Sequence, residues 1–154
     1  MDRAYKYLSE FNEGDVYTTL SKTVTETDVL LFAGVSGDMN PIHTDKVYAD
    51  SLPFGSRLAH GLLGAAIATG LWGRLGLVDG STIAALSTDW QFVGAIKMGD
   101  TIHCEVTIDK VKRSGSKPDR GVITLGYKIL NERDELCQTG HMSSMMWWEE
   151  PKAE

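Results

Sequence analysis

The sequence predicts an α+β fold, with an antiparallel sheet curled around one central helix, and three observations lead there. The second half alternates apolar and polar residues with period two, the pattern of strands with one wet face. One long apolar stretch, Leu62 to Trp72, precedes those strands and carries apolar or small residues on every side, as a helix buried all round does. The first half is broken into short pieces by Pro41 and Pro53. At 154 residues, without repeat or linker, the chain reads as a single domain over 1–154.

Element by element, Asp15 to Thr23 reads as strand. Thr25 is placed to cap a helix, with Asp28 three positions on to complete a capping box. Val29, Phe32, Ala33 and Ser36 then share one helical stripe. Ala59-His60-Gly61 heads the apolar helix and Arg74-Leu75-Gly76 ends it. Gly64, Gly70 and Gly73 inside it each cost about 1 kcal/mol against Ala, a cost that close approach of another backbone would offset. Thr82 to Phe92 is a strand ending before Gly94. Ile102, Cys104, Val106 and Ile108 alternate with His103, Glu105, Thr107 and Asp109. Ile123, Leu125, Tyr127 and Ile129 repeat that pattern, the polar turn Asn131 to Glu135 follows, and Leu136 to Trp148 is the returning strand. Lys112 to Gly121, polar and glycine-bearing, reads as a mobile connection.

Charge and cysteine content narrow the function. Fifteen basic and 21 acidic side chains leave a net charge of −6. A chain that acidic, with no Lys/Arg block, has no nucleic-acid footprint. Any anionic ligand must be held by a few placed cations against the overall field. The apolar run falls short of the ~20 residues of a membrane span. The polar start, Met1 to Lys6, lacks a signal peptide's apolar stretch, so the expected location is cytoplasmic. Cys104 and Cys137 offer neither a disulfide framework nor metal-ligand spacing and read as buried thiols.

Reactive side chains concentrate in Ser36-Gly37-Asp38-Met39-Asn40-Pro41-Ile42-His43. Gly37 frees the backbone just after a helix, and Pro41 stiffens the loop. Asp38 and His43, five apart across a turn, can converge on one small volume. A carboxylate beside an imidazole gives an acid and a base near neutral pH, or a base with the group that orients it. Gly-Asp-x-Asn-Pro is also ordinary turn chemistry, in which Asx side chains bond their own backbone. Downstream, the free N–H groups at Gly61, at the head of the apolar helix, suit an anionic oxygen.

The run Phe32 to Asp45, followed by His60-Gly61, resembles the signature of the MaoC-like dehydratases, the (R)-specific enoyl-CoA hydratases. Lys97-Met98-Gly99-Asp100-Thr101 resembles that family's turn before a strand. The resemblance implies a hotdog fold over nearly the whole chain. It implies reversible addition of water, without cofactor or metal, across the 2,3 double bond of an enoyl-CoA or other enoyl thioester. Carried over by position, Asp38 and His43 are the catalytic pair. Gly61, Asn40 and Thr69 are the substrate-binding set: the Gly61 N–H holds the thioester oxygen, Thr69 stands where a hydroxyl can bond the catalytic Asp, and Asn40 shapes the loop. The second half matches in pattern rather than residue by residue, and Met142, Met145, Met146 and Trp147-Trp148 have no counterpart.

The remaining candidates read as structural. His60 is a helix-end group, His103 a solvated strand residue, and His141 a histidine without a visible partner. Lys112, Arg113, Lys117 and Arg120 read as a solvated loop, with coenzyme A phosphates as the alternative. The expected partners are an acyl-CoA thioester and a second copy of the chain, because a lone sheet of this kind leaves an edge strand and an apolar face open. Two other functions fit the same fold: an acyl-CoA thioesterase and a non-catalytic acyl-binding domain.

Overall fold

The computed structural model describes residues 4–151. After a single 3-10 turn at Leu8–Glu10, the elements run β1 (Val16–Thr18), β2 (Lys22–Thr23), α1 (Glu26–Ser36), α2 (Pro41–Thr44), α3 (Lys46–Asp50), α4 (Gly61–Gly73), β3 (Thr82–Phe92), β4 (Thr101–Arg113), β5 (Arg120–Leu130) and β6 (Leu136–Trp147). The strands pair antiparallel in the order β1-β4-β5-β6-β3, and β2 also pairs with β4.

The period-two residues form the inner face of this sheet. Ile102, Cys104, Val106 and Ile108 of β4 and Ile123, Leu125, Tyr127 and Ile129 of β5 are all buried. They pack with Leu63, Ile67, Ala68, Leu71 and Trp72 of α4 in one cluster. Burying Leu63, Ile67 and Leu71 returns about 1.5–3 kcal/mol apiece, more than the helix's glycines cost. Packing against the sheet, rather than propensity, therefore makes α4 a helix. Gly64 has a local reason as well. A Cβ there would lie 2.5 Å from Gln138 Nε2 and 2.8 Å from Ile96 Cδ1.

Three expectations need correction. First, α4 is not buried all round: Leu62 is 63% exposed, Ala66 and Gly70 are exposed, and open space surrounds the Cβ positions of Gly70 and Gly73. The sheet covers one side of the helix, and among the described residues nothing covers the other. Second, the connection after β4 is shorter than the polar stretch suggests. The ladder pairs Arg113 with Gly121 and leaves only 114–119 outside the strands. Backbone hydrogen bonds carry a strand through polar residues when their side chains point to solvent. Third, Asp15 to Thr23 is not one strand. Thr18 opposes Glu105 and Lys22 opposes Ile102, so β1–β2 advances four residues while β4 advances three. This bulge turns Thr19 inward, where its Oγ1 accepts from Cys104 N at 2.9 Å.

At α1 the expected capping box is present. Thr25 Oγ1 accepts from Asp28 N at 3.2 Å, and Asp28 Oδ2 accepts from Thr25 N at 2.8 Å. Gly37 closes the helix with φ +77°, a left-handed conformation that side chains rarely adopt. The chain then turns back toward α4, which places the reactive segment at the head of the central helix.

Candidate active site

Local hydrogen bonds shape the loop after α1. Ser36 Oγ donates to Phe32 O at 2.7 Å and accepts from Asp38 N at 3.2 Å. Asp38 Oδ1 accepts from Asn40 N at 3.2 Å, an Asx turn that directs the rest of the carboxylate away from the loop. Asn40 Oδ1 caps α2 by accepting from Ile42 N at 3.2 Å, and Pro41 occupies the first helical position. Asn40 is thus engaged with the loop backbone, and its side chain does not line the cavity.

Long-range backbone bonds fasten this loop to the head of α4. Leu58 N donates to Ile42 O at 3.1 Å, and Ala59 N donates to Ile96 O at 2.8 Å. The same Leu58 offers its carbonyl to His43 Nδ1 at 2.8 Å. A carbonyl can only accept, so Nδ1 carries a proton, and in the neutral ring Nε2 then presents a bare lone pair. That Nε2 stands 3.9 Å from Asp38 Oδ2. The distance exceeds a direct hydrogen bond and suits one water bonded to both at ~2.8 Å. The two partners differ in exposure: the His43 side chain is 13% exposed and that of Asp38 53%.

His60 and Gly61 complete the cluster. His60 Nε2 lies 2.9 Å from Asp38 O, and its ring stacks on that of His43 with centroids 3.7 Å apart. The Gly61 N–H makes no hydrogen bond to a described residue and opens α4 toward the same space. A Cβ on Gly61 would stand 2.8 Å from the Phe92 ring, so an alanine there meets an aromatic wall although its backbone angle permits one. The cavity measures about 540 Å³. Phe54, Leu62, Phe92, Val93 and Ile96 supply apolar walls, and Asp38, His43 and His60 the polar groups.

Asp38, His43 and His60 are also the one group among the described residues whose ligand atoms could gather around a metal, all within 4.8 Å of one another. Their geometry does not suit one. Imidazole nitrogens bind a metal in the ring plane, whereas these rings stack with centroids 3.7 Å apart at 26°, and His60 Nε2 is already committed to Asp38 O.

Thr69 is not brought to this site within the chain. It sits eight residues along α4 from Gly61, about 12 Å of axial rise. Its Oγ1 donates to Ala66 O at 2.9 Å, and it lines a separate cavity under the helix. The basic cluster also lies elsewhere. Arg113 stacks over Trp148 and Arg120 over Trp147, and Arg120 pairs with Asp119 at 2.7 Å. Along β5, Gly121 is eight residues from Ile129, which opposes Gln138, so this loop stands about 26 Å down the sheet.

Burial pushes the Cys104 thiol up to about 12 and raises that of Cys137, so neither is a ready nucleophile. The sequence reading missed Phe92 and Gln138. Gln138 is buried, donates to Gly61 O at 3.1 Å and accepts from Trp90 Nε1 at 2.8 Å, bracing the head of α4. The signal was a glutamine in the period-two set Gln138, Gly140, Met142, Ser144 and Met146.

Comparison with known proteins matches this architecture. A family model described as MaoC like domain matches residues 10–128. An (R)-specific enoyl-CoA hydratase of Rhodospirillum rubrum is 31% identical over 123 residues, covering 80% of each chain. The solved structure of a MaoC-like dehydratase from the same organism superposes with a TM-score of 0.84 at 27% identity, over 95% of this chain and 99% of that one. A Mycobacterium tuberculosis protein described as having a double hotdog fold aligns over 100% of this chain and 48% of its own, with a TM-score of 0.79 at 15% identity. The fold here is a single hotdog.

Proposed function

The chain belongs to the MaoC-like dehydratases, a family of hydro-lyases, and from that premise we propose that it reversibly hydrates an enoyl thioester, with an acyl-CoA as the substrate class, to the (R)-3-hydroxyacyl thioester. One observation carries the reading. His43 Nε2, bare in the neutral Nδ1–H tautomer, and Asp38 Oδ2 stand 3.9 Å apart, close enough to share one water, at the wall of a largely apolar cavity that Gly61 also lines.

The chemistry follows from that arrangement. A thioester conjugated to a double bond is electrophilic at C3, and attack there sends negative charge to the carbonyl oxygen. The Gly61 N–H meets that oxygen; removing one such donor elsewhere costs about 2.7–4 kcal/mol. Water held between Asp38 and His43 gives a proton to the pair as its oxygen bonds to C3. The pair then returns a proton to C2 from the same face. General acid–base help of this kind contributes about 10²–10⁴-fold. Thr69 takes no part within one chain. Gly61 binds substrate through its N–H, and Asn40 acts through the loop it caps.

The domain spans the whole chain, 1–154, and works as a homodimer or a multiple of one. Among the described residues β3 pairs only with β6, and α4 exposes Leu62, Ala66 and Gly70, so a second copy can cover both the edge strand and the open helix face. No helix of the described residues is long and apolar enough to cross a membrane. Two buried, unpaired cysteines suit a reducing cytoplasm.

The test is an ultraviolet assay on short and medium enoyl-CoAs. Loss of the enoyl-thioester absorbance without free thiol is the expected result, and chiral analysis should give the (R) product. Release of coenzyme A thiol would make the protein a thioesterase, and binding without turnover an acyl-binding domain.

A further inference from the structure

His60 departs from what its position asks of it. It is the N-cap of α4, where Ser, Thr, Asp or Asn would turn back to satisfy a helix N–H, yet its side chain makes no capping bond. The residue is 3% exposed and its ring aims the other way, so that Nε2 meets Asp38 O at 2.9 Å. The carbonyl accepts, so Nε2 carries a proton, and Nδ1 is left as a buried atom with no hydrogen-bond partner. An orphaned buried nitrogen is a cost that an ordinary cap residue avoids. Capping does not explain this histidine.

Its other contacts do. One face of the ring stacks on His43 at 3.7 Å and 26°, and Phe32 packs beside it at 5.0 Å. His43 is otherwise held by one hydrogen bond, Nδ1 to Leu58 O. That bond and the Cβ tether act at one edge of the ring, so small rotations about Cα–Cβ and Cβ–Cγ would still swing Nε2, at the far edge, relative to Asp38. The flat face of His60 removes that swing. The same ring fastens the Asp38 main chain, and its own backbone leads directly into Gly61.

We propose that His60 is a positioning residue: its Nε2–H pins the backbone of Asp38 while its ring face sets the plane in which His43 presents Nε2 to the cavity. The proposal rests on the reading that Asp38 and His43 hold the reacting water together. His60 touches neither water nor substrate in this scheme; it acts through the pair. A shift of about 1 Å in such groups can cost on the order of a hundredfold in rate, so the effect belongs in kcat and not in binding.

Three substitutions separate its two contacts. His60→Gln keeps a donor for Asp38 O and loses the ring; His60→Phe keeps the ring and loses the donor; His60→Ala loses both. The chain has only four histidines, so ¹⁵N–¹H correlation of the imidazoles in the free protein reads the His43 tautomer directly. Wild type should show His43 protonated at Nδ1 alone. His60→Ala should show both tautomers, with kcat down about a hundredfold and KM little changed. His60→Gln and His60→Phe should each keep part of the activity, the latter with the His43 tautomer intact. In a His43→Gln background, His60→Ala should cost almost nothing further, as expected of groups that act as a unit. A folded His60→Ala protein with unaltered His43 signals and unaltered kcat overturns the proposal. So does a loss that multiplies fully in the His43→Gln background. If wild type hydrates no enoyl thioester, the hydratase reading falls, while the His43 spectra still decide the positioning role.

Discussion

His141, on the outer face of the sheet, lies 3.1 Å from Asp89 and 3.5 Å from Asp109, whereas His43 at the cavity stands 3.9 Å from Asp38. By distance alone the first cluster is the stronger, and it corrects the expectation that His141 lacks a partner. Their surroundings reverse the ranking. The His141 side chain is 55% exposed, its carboxylates come from β3 alongside and from β4 across Gly126 of β5, and water competes for every contact. His43 is shielded, and its Nδ1 is committed to Leu58 O. Its remaining nitrogen meets a gap instead of a partner. A site for chemistry keeps its acceptor vacant; a surface pair fills it.

The sharpest way to break this contrast is at Asp38 and His43. Asp38→Asn and His43→Gln nearly preserve shape, so the melting temperature should change little while kcat falls on the order of 10³-fold for each. The double variant should be hardly worse than the poorer single. Fully multiplicative losses in steady-state kinetics would mean two independent roles, and a folded Asp38→Asn protein with near-normal kcat would sink the shared-water scheme.

A smaller loss tests the third member of the site. Phe92 would obstruct any side chain on Gly61, so the comparison belongs in a Phe92→Ala background. There Gly61→Ala keeps the N–H and Gly61→Pro removes it, at a first-turn position that tolerates proline. The proline variant should turn over about 10²–10³-fold more slowly than the alanine variant. Equal rates would remove the N–H from the mechanism.

Asp28 shows a carboxylate employed for stability. Burial pushes its pKa up, but hydrogen bonds from Thr25 and Lys22 outweigh that and hold it below its ordinary 3.8. A folded-state pKa that is depressed contributes stability above the ordinary value and loses it as the pH falls through the folded one. Thr25→Ala should therefore cost about 1 kcal/mol in denaturant melts near pH 7. That penalty should shrink as the solution is acidified below 3.8; a pH-independent penalty would exclude Asp28 from it. kcat should not change.

The smallest effect belongs to the outer cluster. His141→Ala, or Asp89→Asn with Asp109→Asn, should shift stability by less than about 0.5 kcal/mol and leave kcat alone. A hundredfold kinetic loss there would erase the distinction between the two histidines.

Local chemistry was legible in the sequence wherever the cause lies within a few residues. The capping box at Thr25 and Asp28, the left-handed cap at Gly37, the Asx and proline turn around Asn40 and Pro41, and the alternation of β4 and β5 all depend on neighbours in the chain. Asp38 and His43 were legible for the same reason, since one turn joins them. Leu58, His60, Phe92 and Gln138 were not read as parts of the site, because each enters it through contacts across 15 to 77 positions. The exposed side of α4 was misread for a related reason: a helical stripe records how apolar a face is, not whether anything lies against it.

By itself, then, the sequence determined most of the elements, the inward face of the sheet, and a carboxylate and an imidazole within one loop, because periodicity and turn chemistry act over a few residues. Only the tertiary structure decided which nitrogen of His43 is bare, which carbonyls occupy the others, and that Thr69 lies about 12 Å along the helix from the site. A tautomer depends on the acceptor opposite the ring, and that acceptor arrives only when Leu58 is folded against Ile42 and Ala59 against Ile96.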